Sequence, residues 1–444
     1  MKHLLISILT LTIATSLTAQ ERTVVKENRS DWRTEFVTYL SREAALAQKP
    51  DGERFYMDLT EKMVEVKRGE STFYVIDEVD VPMIWRDRDI YLHTEGSRNG
   101  HRIYVNTKYA GAARDNRVTS EHNITEHITD GVNNFVVEVI DDTAKPADLS
   151  PDNRAKVERV WLHAQPRLSI YDIRVSALPD STGKRGALTL DVIVNSSYNY
   201  EEPVDVCYDI YSPENELKYY DVRETTVAGN SRDTIRFEAD FPGAVERQWS
   251  ASSPKLYTLT VFMRKDRIIN EYATFRIGFG QTTWEGNTIL RNEQPIETRA
   301  ARWESDLSES ESQKAIRDKK KRGINTLYLA YPQPAWFYTL CDREGIYLVD
   351  TANINTDGSS RKVGASTVND PEWLDEYLDR VQAMYFRSQL HPSVIAYRLA
   401  QPSGNGYNLY KAYQWLKEQG DTRPVVYDSE GEWNSDLTLP APIE

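Results

Sequence analysis

Only two cysteines, Cys207 and Cys341, occur in 444 residues, and they fall far apart in what read as different domains. No disulfide framework is therefore expected. Basic charge is also short. Lys and Arg number 54 against 68 Asp and Glu, and no basic cluster interrupts the net charge of −14. That balance argues against nucleic acid or anionic membrane as partners. Apolar runs of membrane length are missing as well. The one sustained run, Leu4 to about Leu17, follows Lys2-His3 and leads into Thr18-Ala19-Gln20. This pattern predicts a signal peptide over residues 1–19, too short to span a bilayer, with no cysteine after it to carry a lipid. The expectation is a soluble, exported protein, secreted or periplasmic, with no insertion into the membrane.

A hydrophobic fraction of 40% over this length can fill two or three cores. From about residue 32 to 165, short alternating runs are punctuated by Gly, Asn and Asp: DIYLHTEG (89–96), HRIYVNTKYAG (101–111) and NNFVVEVID (133–141). Period-2 alternation at this density predicts antiparallel strands in a sandwich or jelly roll. RLSIYDIRVSAL, ALTLDVIVNSS, KLYTLTVFMRK and YATFRIGF repeat the pattern over 167–279, enough for an immunoglobulin-like sandwich. After Gly280 the rhythm changes. INTLYLA (324–330), GIYLVD (345–350), VIAYRLA (394–400), RPVVYDS (423–429) and SDLTLPA (435–441) are strand-like, with helical segments between them. One helix starts at Asp370-Pro371, with Leu374, Leu378, Val381 and Tyr385 at helical spacing; another runs through Leu409, Tyr413 and Leu416 and stops at Gly420. Alternating β and α predicts a parallel sheet.

The motifs then resemble those of glycoside hydrolase family 2, the β-galactosidase and β-glucuronidase family. SDWRTEFVTYLSREAALA (30–47) is similar to that family's N-terminal DW…Y…EEALA stretch. IYVNTKYAG…HNITEHITDGVNNFVVEV resembles its WVNGxxVG…FDITxxLxxGxNxLxVxV, and WSASSPKLYTLTV resembles W-SPExPxLYTLTV. LCDREGIYLVDTANIN, HPSVIAYRLAQPSGNGYN (391–408) and RPVVYD continue the series in family order. The resemblance implies a fold of three parts over most of the chain. These are a jelly-roll, sugar-binding-type sandwich (20–165), an immunoglobulin-like sandwich (166–280) and a (β/α)8 TIM barrel (281–444). The last is expected to be incomplete, with about six strands in roughly 160 residues against eight in about 250. Missing strands would leave an unpaired edge, which a second subunit could complete. Asn123-Ile124-Thr125 is a formal glycosylation sequon but coincides with the family's DIT element, and reads as strand.

Carried over residue by residue, the family's chemistry is largely vacated. The Asn-Glu pair that holds its general acid/base is Gln401-Pro402 here, and proline has no titratable group. The metal-ligating Glu and His become Asn355 and Asp357, so no cofactor is expected. The segment carrying the nucleophile lies beyond EWNSDLTLP (432–440), and Glu444 follows four residues later. His391, in the HPS turn, is the last histidine after His163. Retaining glycosidases need two carboxylates about 5–5.5 Å apart. Asp350 and Asp428 stand at strand ends as weak substitutes, with Asp357 and Glu430 nearby in sequence. Tyr331, Trp336, Asn353, Tyr397, Gln401 and Asn405 lie on motifs that border the family's pocket, and together suggest a saccharide cleft. The expectation is a carbohydrate- or partner-binding protein without turnover. The rival is a divergent O-glycosyl hydrolase acting on β-galactosides or related glycans with relocated carboxylates.

Overall fold

The computed structural model describes residues 32–50, 52, 54–69, 71–96, 100–115, 117–140, 156–355, 367–400, 406–427 and 435–444. The expected signal peptide lies outside them, as do Asp357, Gln401, Pro402, Asn405, Asp428 and Glu430. The chain divides into two compact units.

The first unit spans Pro50–Ala144 and Asp152–Arg167. Two antiparallel sheets of four and five strands form a sandwich. Its core alternates along the strands as the sequence predicts: Ile90 and Leu92, Ile103 and Val105, and Phe135, Val137 and Val139 all point inward. Asn123 ends its strand and its side-chain oxygen accepts from the Thr125 amide at 3.0 Å, turning the chain into a short 3-10 helix.

The second unit contains an immunoglobulin-like sandwich and the α/β part together. Sheets of three and four antiparallel strands pack around Leu188, Leu190, Val192, Phe237, Leu259 and Val261. Trp32–Lys49, which the sequence placed in the first domain, belongs here instead. The reason lies in its motif residues. Tyr39 bridges Tyr272 in antiparallel fashion, the Trp32 indole donates to Asp379 at 2.8 Å, and Arg42 pairs with Asp209 at 2.6 Å.

The α/β part is a five-stranded parallel sheet: β1 (Ala300–Trp303), β2 (Thr326–Leu329), β3 (Tyr347–Thr351), β4 (Val394–Arg398) and β5 (Val425–Val426). Helices α1 (Glu309–Lys321), α2 (Ala335–Glu344), α3 (Leu374–Ser388) and α4 (Tyr407–Glu418) connect most of them. Ser308 and Glu311 form a reciprocal capping box at the start of α1. Gly345 ends α2 at φ +67, where a Cβ would also stand 2.4 Å from the Ala251 oxygen, so both conformation and space require glycine. Side chains alternate across the sheet. Leu327, Leu329, Leu348, Tyr397 and Tyr427 face the helices, whereas Tyr328, Val349, Ile395 and Val426 face the concave inner side.

Two features close this partial barrel. At the N-terminal ends of the strands, Trp249 from the sandwich enters the inner cluster, edge-on to Tyr347 at 5.8 Å, with its indole donating to the Asp342 carbonyl. Asp342 also holds the HPS turn, accepting from Ser393 N at 3.0 Å and contacting His391 Nδ1 at 2.6 Å. The lone late histidine therefore sits in a structural clamp. The second feature corrects two expectations at once. SDLTLPA is not a strand, which leaves five strands among the described residues rather than six. Pro440 and Pro442 have no amide to add to a ladder, and the Asp436 and Ser435 side chains accept from the Val425 and Tyr427 amides. The segment crosses the inner face instead, with Leu437 buried beside Tyr328 and Val426, and with the Tyr328 hydroxyl donating to the Pro440 carbonyl at 3.0 Å. At β1 it pairs again: Ile443 N donates to Ala300 O and Arg302 N to Glu444 O. The expected unpaired edge is thus taken, at β1 and at β5, by the chain's own residues 435–444.

Candidate functional site

In a barrel the chemistry sits at the C-terminal ends of the strands. The loops that follow β3, β4 and β5 run into residues 356–366, 401–405 and 428–434, outside the described residues. What is described at this face is a buried polar network. Arg398, at the end of β4 and 4% exposed, points inward. Its Nε donates to Thr351 Oγ1 at 2.9 Å and its Nη2 to the Leu329 carbonyl at 2.7 Å, tying the ends of β2, β3 and β4 together. Its guanidinium lies 5.9 Å from the Tyr328 ring centroid. Sequence reading passed over Arg398, although an arginine inside the otherwise apolar run VIAYRLA is the signal that could have found it.

Asp350, the foremost substitute carboxylate, faces the other way. Alternation along β3 sends Val349 and Thr351 inward and Leu348 and Asp350 toward the helices. Asp350 is fully buried there, accepting from the Tyr338 hydroxyl at 2.9 Å and from the Thr351 amide at 2.9 Å. Burial pushes its carboxyl up to about 6, with the Ser388 and Tyr338 hydroxyls and the Arg387 charge pulling the other way. The neighbouring Tyr338 phenol is pushed far above its ordinary range by burial and then by Asp350. Arg387 in turn pairs with Glu35 at 3.0 Å. This is an interior network rather than a catalytic dyad.

The six expected sugar contacts separate. Tyr397 is a core residue on the helix side, 1% exposed, its ring tilted against that of Tyr385 at 5.6 Å and covered by the Arg423 guanidinium. It therefore offers no face to a ligand, for the same alternation that turns Asp350 away. Asn353 is 3% exposed, and Trp336 is half-buried against the helix core. Tyr331 is 6% exposed, with its hydroxyl 3.3 Å from Asp306 in the loop after β1, so these two flank the mouth. Gln333 behind them accepts from the Trp303 indole at 3.2 Å and donates to the Tyr331 carbonyl. Gln401, Asn405 and the vacated position Pro402 lie outside the described residues. Asn355 is half-buried, and among the described residues no cluster of three His, Cys, Asp or Glu side chains could hold a metal.

Comparison with known proteins supplies the lineage. The model of the glycosyl hydrolases family 2 TIM barrel domain matches residues 307–440, and the glycosyl hydrolases family 2 model matches 168–279; together they take in more than half of the chain. A β-galactosidase of Priestia megaterium is 26% identical over 364 residues, 78% of this chain and 35% of its own length. One from Psychromonas ingrahamii is 27% identical over 394 residues, 81% of this chain and 37% of its own. The chain thus spans little more than a third of the length of these curated relatives. Among solved structures, Bacteroides uniformis β-glucuronidase superposes with a TM-score of 0.69 at 18% identity, covering 81% of this chain and 46% of that one. A β-galacturonidase from Eisenbergiella tayi bound to galacturonate gives 0.72 at 16%, covering 90% and 73%. The motif order, the two sandwiches, the partial barrel and the family matches agree: this chain belongs to glycoside hydrolase family 2.

Proposed function

We propose that the protein is an exported, β-galactosidase-like member of its family that binds carbohydrate without hydrolysing it. One observation carries the reading. The inward-facing side chains at the described ends of β2 to β5 are Tyr328, Thr351, Arg398 and Val426, with Arg398 braced across three strands; none is a carboxylate, and a retaining glycosidase needs two. The sequence adds Pro402 at the acid/base position. A saccharide would bind at the mouth, near Tyr331, Asp306 and half-buried Trp336, rather than in a deep well. The relatives' names, β-galactosidase, β-glucuronidase and β-galacturonidase, set the ligand classes to try first. The apolar run Leu4–Leu17 supports export, which N-terminal sequencing of the secreted protein would check. Binding is tested by thermal unfolding against galactosides, glucuronides and mannosides, where one class is expected to raise the midpoint. A flat response to all three would sink the binding reading.

The hydrolase reading draws on the raised pKa of Asp350, a property shared with catalytic acids. Its position on the helix side of the sheet opposes that role. Aryl-glycoside release that is lost in Asp350→Asn would reinstate it.

A further inference from the structure

We propose that a cavity between the second sandwich and the N-terminal end of the parallel sheet binds a small oxyanion, with Arg291 as its centre. The cavity has a volume of about 390 Å³, within the size range of small-molecule sites. It lies at the opposite end of the strands from the mouth: Val394 begins β4 and Arg423 precedes β5, and both line it. It therefore stands apart from the saccharide reading above.

The case rests on charge. Four guanidinium groups, Arg174, Arg236, Arg291 and Arg423, face two carboxylates, Asp191 and Asp421, in a chain that is acidic overall. Both carboxylates are already engaged. Arg236 holds Asp191 through two bonds of 2.7 and 2.8 Å, and Arg423 holds Asp421 through Nε at 2.9 Å. Burial works against the Asp421 charge, yet Arg423 keeps that carboxyl below its ordinary range. His391, also on the wall, is tied to Asp342. Two cations are left over. Arg174 is exposed and has no ion pair among the described residues.

Arg291 is the more telling of the two, at 6% exposed. Its Nε donates to the Trp249 carbonyl at 3.1 Å and its Nη1 to Thr282 Oγ1 at 3.0 Å, both neutral acceptors. Its Nη2 is buried without a partner. Burial lowers its pKa to about 10, with Tyr347 and Asp342 pulling the other way and Arg423 adding repulsion. A buried guanidinium without a counter-ion is costly, and its planar fork suits a carboxylate, sulfate or phosphate group. A ligand bringing that group would supply the missing counter-charge. Thr189, Gln281 and Thr422 on the walls offer hydrogen bonds to hydroxyls on the same ligand.

The test is titration calorimetry on the purified chain at fixed ionic strength, with phosphate, sulfate, galacturonate and neutral galactose as ligands and sodium chloride as the reference. At least one oxyanion is expected to bind where galactose and chloride do not. A response to galacturonate alone assigns a carboxylate; a response to phosphate or sulfate alone assigns a tetrahedral group. Arg291→Gln, checked for folding by circular dichroism, is expected to weaken binding tenfold or more. Should that variant not fold, Arg174→Gln decides, because it alters only an exposed and unpaired side chain; at least a fivefold loss is expected. No oxyanion binding beyond chloride, or wild-type affinity in the deciding variant, overturns the proposal.

Discussion

Replacing Asp350 by Asn should stabilise the protein at neutral pH, which is unusual for a fully buried residue. The carboxyl rises from 3.8 unfolded to about 6 folded because burial outweighs its hydrogen bonds. The folded state therefore holds the proton more tightly than the unfolded state does. Stability falls as pH rises from about 4 to about 6, and above that window the ionised carboxylate weakens the fold by the full difference. That difference corresponds to about 3 kcal/mol. Asn keeps an oxygen to accept from Tyr338 and from the Thr351 amide, so the packing and both hydrogen bonds survive. Urea unfolding at pH 7.5 should place the variant about 3 kcal/mol above wild type, or roughly 6 °C in melting midpoint for a unit of this size. Below about pH 4 both states are protonated in wild type, and the two proteins should converge. A variant less stable than wild type at pH 7.5, or a constant gap across pH, would refute the reasoning.

The other predictions concern closure and clamps. Leu437→Ala removes the apolar anchor of the crossing segment and should cost about 3 kcal/mol in urea unfolding. Tyr328→Phe, which deletes only the hydroxyl bonded to Pro440, should cost about 1 kcal/mol by the same assay; equal stability would deny the segment its place. Asp342→Ala strips His391 and Ser393 of their shared acceptor and should cost about 3 kcal/mol, read as a lower thermal midpoint. Gly345→Ala meets both a positive φ and the Ala251 oxygen, so it should cost more than about 1 kcal/mol, whereas Gly420→Ala, also at positive φ but in open space, should cost less.

The architecture was legible because alternation and motif order are local properties of the chain. The strands 89–96, 101–105 and 131–140, the helix beginning at Asp370-Pro371 and the helix ending at Gly420 could all be read from spacing and caps. Which face of a strand a residue takes was harder. Asp350 and Tyr397 lie on site motifs, yet strand phase sends both into the helix layer, and only the assembled sheet fixes that phase. Long-range pairing was invisible too. Nothing in SDLTLPAPIE announces that it crosses the sheet to reach β1, because its partners there and on β2, Ala300, Arg302 and Tyr328, are more than a hundred residues away. Nor could composition reveal Arg291, whose meaning comes from a buried Nη2 left without a hydrogen-bond partner rather than from its own surroundings in sequence.

The central claim is that the strand ends bind sugar without cleaving it. Its most direct test is hydrolysis of 4-nitrophenyl β-galactoside, β-glucuronide and β-galacturonide by the purified protein, with and without chelator. The account predicts no release above buffer for any of the three. Clear release that persists in chelator and disappears on mutation of a single carboxylate would contradict it.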